Sequence, residues 1–354
     1  MTRQETSAMR GIAILAIMLH NYTHWLGPMV KENEYTFDHN NVRRLLAELA
    51  SPSVELLSHI LSFFGHYGVP VFVALSAYGL YKKYEAGGAE SRAVSFVANH
   101  WRKLFLMMAT GYTAFVLVDY MTPGHYHYRF WNVVGQILMV SNLYADPDHA
   151  IWPGPYWYFG LMLQLYIFYR FVMHKGKMSL RTLLPERLWT ALMLLVAVAT
   201  LLLQLAFDPM GDALNWYRYN IFGALPVFII AMLSAPWADS LRGRSRGEYG
   251  LAALAASALV FLGSLTFTMW IIVPFLVCIA TYCLVKSLPL WLLRVFDWVG
   301  GISAAIFVCH PITRKVLIPI SRHDDLYAGL LLYILATIFL AILFSRMLSS
   351  LMKR

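Results

Sequence analysis

One arginine and two histidines on a single apolar run are the residues of this chain best suited to chemistry. Arg10 and His20 stand ten positions apart, about 15 Å along a helix at 1.5 Å per residue, and His24 follows one turn later on the face of His20. An imidazole changes charge near neutral pH, so His20 deep in an apolar segment is a natural general base for a hydroxyl proton. The plainer alternative lets Arg10 snorkel to headgroups and His20 bond a neighbouring helix. An i, i+4 histidine pair also suits a metal, but no third acidic or imidazole ligand stands at a recognisable spacing, and the reading is that no metal is bound.

Further polar groups interrupt other apolar runs, where charge and imidazole are costly. His66 opens a stretch whose Gly65, Gly68 and Ser76 permit close helix contact and whose Pro70 removes a backbone donor. His100, Arg102 and Lys103 form a basic cluster that could meet anionic headgroups or a phosphate-bearing cytosolic ligand. Trp157, Tyr158, Gln164 and Tyr166 share one run, with Gln164 the member an interfacial belt does not explain. His310-Pro311, followed by Arg314 and Lys315, reads either as a broken helix lining a cavity or as a plain kink.

The elements that must hold these residues follow from composition. At 354 residues, 59% hydrophobic and 13% charged, with a mean hydropathy of +0.57, the chain carries more apolar surface than a soluble domain can bury and too little charge for disorder. It reads as an all-α polytopic membrane protein, a single domain over 1–354. Ten runs near 9–28, 56–81, 96–120, 155–173, 188–207, 217–235, 250–267, 268–286, 298–319 and 326–348 approach the roughly 20 residues a span needs; 131–144 is too short and reads as re-entrant or interfacial. The first run lacks a small-residue cleavage site and reads as a retained helix. With the N-terminus inside, sixteen cations, among them Arg242, Lys353 and Arg354, fall in inner segments against five in outer ones, while acids such as Glu32, Glu34, Asp148 and Asp324 collect outside. That asymmetry predicts N-in and C-in, with longer outer loops at 29–55 and 121–154 and an amphipathic helix around 42–49. The net charge of +9 is therefore no sign of nucleic acid, and Cys278, Cys283 and Cys309 lie in apolar stretches as core residues.

In this order across the chain, several motifs resemble the integral-membrane acyltransferase type 3 family: Arg10-Gly11 leading to His20, Gly68-Val69-Pro70-Val71-Phe72 through Leu75-Ser76-Ala77-Tyr78, Trp157-Tyr158-Phe159 with Gln164 and Tyr166, and Phe307-Val308-Cys309-His310-Pro311. The resemblance implies transfer of an acyl group, most often acetyl, from cytosolic acyl-CoA to sugars of surface or exported glycans, in a multi-pass protein of the bacterial cytoplasmic membrane. The family's paired arginine and histidine map onto Arg10 and His20. Nine residues intervene here where ten are usual, which puts Asn21 at the family spacing; the two-arginine motif appears as His100 and Lys103 around Arg102, and Met162 stands where an acid is common.

These readings combine into one expectation. Acyl-CoA enters from the cytoplasm against Arg10, His100, Arg102 and Lys103; His20 deprotonates an acceptor hydroxyl arriving from outside, with His24 beside it; and Asn21, His66, Trp157, Gln164, Tyr166 and His310 orient the reactants. An acyl-histidine intermediate stays open. The partners are acyl-CoA as donor substrate, a glycan or lipid-linked sugar and membrane lipids, with no tightly bound cofactor and no nucleic acid; an oligomer is possible. Outer cations Arg129, Arg218 and Arg314 could meet an acidic glycan. A transporter or glycan exporter is the competing class, though the halves show no internal repeat and intramembrane acids are nearly absent.

Overall fold

The computed structural model describes residues 1–89, 92–238, 243–323 and 325–353, with side chains through 350. Arg242, Asp324, Arg354 and the Lys353 side chain, counted above in the charge balance, lie outside the described residues. Helices, turns and loops make up the described chain, with no strand among those residues.

Helix α1 (Arg3–Thr23) opens on a capping box in which the Glu5 N–H donates to the Thr2 hydroxyl and the Thr2 N–H donates to the Glu5 carboxylate. There follow α2 (His39–Ala50), α3 (Leu56–Phe64), α4 (Gly68–Leu80), α5 (Ala93–Met121), α6 (Phe130–Ile137), α7 (Trp157–Phe168), α8 (Glu186–Leu202), α9 (Asp212–Tyr219) and α10 (Ile221–Ser234). The chain ends with α11 (Arg246–Gly263), α12 (Val273–Ser287), α13 (Leu290–Gly301), α14 (Ser303–His323) and α15 (Leu326–Lys353).

Every one of the ten apolar runs is helical, yet among the described residues only five helical stretches are long and apolar enough to cross a membrane: Leu56–Glu85, Ala93–Met121, Glu186–Ala206, Ser303–His323 and Leu326–Ser350. A sixth is reached if α9 and the stretch Ile221–Trp237, bent by 45°, count as one span. The difference from ten has a physical reason. Arg10, His20 and Asn21 dilute the apolar character of α1, Arg246 and Glu248 that of α11, while α7, α12 and α13 are short, flanked by turns or tighter and wider helical ends. The two longer loops carry structure: α2 buries Val42 and Leu45 in the protein, and α6 leaves Phe130 and Trp131 about three-quarters exposed.

Helix α1 packs along α13 and against α3, α4 and α14. Its approach to α13 is backbone to backbone, because a Cβ at Gly300 would sit 1.8 Å from the Ser7 carbonyl oxygen. Near its other end Tyr22 stacks on Tyr333 at 4.4 Å, and the Tyr333 hydroxyl donates to the Met18 carbonyl at 2.9 Å. These contacts fix both the rotation and the height of the helix that bears Arg10, His20 and His24.

Candidate active site

The side chains of Arg10, Ile17, His20 and Asn21 of α1 and of its C-cap His24, spaced by seven, three, one and three residues, line one cavity of about 300 Å³. Its other walls include Val69, Phe72 and Ser76 of α4, Trp157, Tyr158 and Tyr166 of α7 and Phe307 of α14. At the Arg10 end it shares Arg10, Phe72, Ser76 and Tyr166 with a second space of about 310 Å³ that also touches Lys83, Tyr84 and His100. At the His24 end it shares His24, Glu32, Glu34, Tyr35, Asp148 and Tyr219 with a third, of about 480 Å³, reaching Asp146 and Asp212. The three adjoin through these shared residues, with basic groups lining the one and mostly acidic groups the other.

His20 lines the first of these spaces and is 3% exposed. Its Nδ1–H donates to the Ser62 carbonyl at 2.8 Å, which leaves the Nε2 lone pair free, 3.7 Å from Glu34 Oε2. The His24 ring lies 4.8 Å from it, and the His66 ring 5.5 Å away edge-on. A glycine is required across from His20: a Cβ on Gly65 would come within 2.5 Å of both the Ala16 carbonyl oxygen and His20 Cβ. Thus α3 can carry the Ser62 acceptor up to the imidazole only because residue 65 has no side chain.

Glu32 and Glu34 belong to the loop between α1 and α2, and distant residues pin that loop over the cavity. Trp270 Nε1 donates to the Asn33 carbonyl at 2.7 Å, Arg218 Nε to the Glu34 carbonyl at 3.0 Å, and the Ser62 hydroxyl to the Val30 carbonyl at 2.7 Å. Arg218 also donates to Gln204 Oε1 and lies 3.8 Å over the Trp270 ring. So fastened, Glu32 Oε1 meets His24 Nδ1 at 3.2 Å, and Tyr35 donates to Glu34 while stacking on Tyr219 at 3.6 Å. Burial holds the Glu34 carboxyl well above the usual carboxylate range. Burial pushes Glu32 the same way, but the charge of His24 and its hydrogen bond outweigh that and hold it well below the range. One ligand atom from each of His20, His24 and Glu32 falls within 4.8 Å of the others, a set that could hold a metal ion and whose third member has no helical spacing to reveal it.

Of the residues singled out from sequence, Arg10, His20, Asn21, His24, Trp157 and Tyr166 line the main cavity and His100 its basic extension. Asn21 is held by Arg314, whose guanidinium donates to its backbone and side-chain oxygens at 2.9 and 3.3 Å. His66 lines a smaller adjoining space with Glu34, Tyr35 and Arg218. Arg102 and Lys103 are exposed and line none of these spaces, whereas Lys83, one of the sixteen cations of the inner segments, lines the basic extension. Gln164 is engaged by Asn142 through two 3.2 Å hydrogen bonds. His310 is fully buried inside α14, which runs unbroken through Pro311, and its Nδ1–H donates to the Ile306 carbonyl at 3.2 Å. The broken-helix reading is thereby replaced by a continuous one: Pro311 removes only the donor to the Phe307 carbonyl, and the helix runs on past it to His323. Arg218 and Arg314, weighed as contacts for an acidic glycan, are spent on internal carbonyls.

Residues 5–346 match a family of proteins described as the acyltransferase domain. The chain belongs to that acyltransferase family. No curated protein and no solved structure matches it. Family and fold together make the protein a multi-pass membrane acyltransferase, and the cavity bearing His20 its candidate active site.

Proposed function

We propose that this acyltransferase is an O-acyltransferase that moves an acyl group, acetyl by the family resemblance, from cytosolic acyl-CoA to a hydroxyl of a surface or exported glycan. The observation that carries the reading is the His20 imidazole, its Nε2 lone pair free, in a cavity that adjoins a basic space on one side and an acidic one on the other. The space at Arg10, Lys83 and His100 suits the phosphates of the donor. The space at Glu34, Asp148 and Asp212, with the Tyr35 and Tyr219 rings, suits a sugar, because carboxyl groups hydrogen-bond hydroxyls and aromatic faces stack on sugar rings.

In this reading His20 Nε2 takes the acceptor proton as the hydroxyl oxygen attacks the thioester carbon. The C–S bond then breaks, the proton passes to the CoA thiolate, and an ester and free CoA leave. Tyr158 and Tyr166, which line the same cavity, supply the hydroxyls for the developing oxyanion in this reading. In a bacterial cytoplasmic membrane, the N-in orientation that the cation asymmetry of the sequence supports puts the Arg10 end inside. The family match gives the transporter alternative no support.

The test is the acyl content of the host's surface glycan in a deletion strain complemented with wild type or with His20→Ala. General-base catalysis is worth about 100- to 10,000-fold, so only wild type restores acylation while both proteins accumulate equally. Unchanged acylation on deletion, with export reduced, overturns the reading.

A further inference from the structure

We infer that His20, His24 and Glu32 form a binding site for a divalent cation of the zinc class, and that a bound cation blocks the lone pair on which acyl transfer depends. The donors are two imidazole nitrogens and one carboxylate oxygen, with one atom from each within 4.8 Å of the others. This His₂Glu set is one that zinc accepts with a fourth position left to water or substrate, whereas magnesium and calcium demand more oxygen ligands than the cluster offers.

Two further observations point to a ligand. His24 Nε2 and Glu32 Oε2 are both buried and have no hydrogen-bond partner among the described residues, an arrangement that costs free energy until something meets them. The opposite nitrogen of each ring is already engaged, His20 Nδ1 by the Ser62 carbonyl and His24 Nδ1 by Glu32. Metal-binding histidines are oriented in this way, with one nitrogen tied to a carbonyl or carboxylate and the other presented. The two rings also share a helix face 4.8 Å apart, so small side-chain rotations suffice to bring the three donors to bonding distance.

Because the cation and the acceptor proton use the same lone pair of His20, zinc and transfer exclude one another. That blockade rests on the transfer reading above; the binding does not.

The experiment uses the full-length protein in detergent, without donor or acceptor, dialysed against zinc chloride and assayed for metal per chain. Wild type takes up one zinc per chain, and His24→Ala and Glu32→Gln each bind at least tenfold more weakly, while magnesium does not compete. Cobalt(II) gives wild type the intense visible absorption of a low-coordinate site, a readout that needs no variant. Wild type that binds no more zinc than these two variants, or no cobalt band, overturns the site. In a transfer assay zinc suppresses the rate and a chelator restores it; a rate that holds or rises as the site fills overturns the blockade. Zinc bound to a protein that transfers nothing leaves the site standing and removes the transfer reading instead.

Discussion

His20 Nε2 lies 3.7 Å from Glu34 Oε2, joining an imidazole of α1 to a carboxyl of the following loop. Burial raises the Glu34 carboxyl, so the folded chain holds that proton more tightly than the unfolded chain does. Stability is therefore greatest below the unfolded value, about 4.3, and falls as pH climbs toward the raised one. Glu32, held low, contributes stability that is fully present above about pH 5 and is lost only on acidification, so the neutral-side slope reports Glu34. Thermal midpoints from pH 5 to 8 should decline in wild type relative to Glu34→Gln. A slope of opposite sign would mean that Glu34 is ionised and paired.

Arg10 lines both the main cavity and its basic extension, where Lys83 joins it, while Arg102 is exposed outside them. Arg10→Ala and Lys83→Ala should each raise KM for acyl-CoA by about tenfold or more, the worth of a charge-assisted contact. Arg102→Ala should change it by less than about threefold, as expected of a solvated cation. Steady-state kinetics with purified variants and acetyl-CoA distinguishes the two patterns; equal effects would shift the donor site toward α5.

Gly65 admits the Ser62 carbonyl to His20 by lacking a side chain. Gly65→Ala forces a Cβ onto the Ala16 carbonyl and should destabilise the fold by about 1–3 kcal/mol. It should also lower kcat while leaving KM for acyl-CoA near wild type, because the Arg10 end is untouched. Denaturation in detergent and initial rates report the two effects separately, and an unaffected kcat would show that the Ser62 bond does not orient the base.

Arg218 fastens the Glu34 carbonyl and lies over Trp270. Arg218→Met keeps most of the stem but removes the donors, so the loop from 24 to 38 should exchange its amide hydrogens faster and transfer should slow. Arg218→Lys should not rescue either readout, since an ammonium cannot supply the same fork to Gln204 and Glu34. Hydrogen exchange by mass spectrometry checks it; unchanged protection of the loop would assign the fastening to Trp270 alone.

Hydropathy and helical period settle the class of the protein and much of one site wall. Composition requires a membrane protein, apolar runs require helices, and i, i+4 spacing puts His20 and His24 on one face wherever α1 lies. Those are local consequences of hydropathy and helical period. Tertiary structure decided the acidic half of the site. Glu32 and Glu34 read as ordinary loop acids until Trp270 and Arg218, 237 and 184 residues from their acceptors, draw the loop onto α1. Burial without partners sets His66 apart; Gln164 is taken by Asn142 and His310 by its own helix, so polarity within an apolar run did not by itself mean access to the cavity. Period and composition fix what a segment is, whereas which polar groups meet depends on long-range hydrogen bonds between loops that have no period to read.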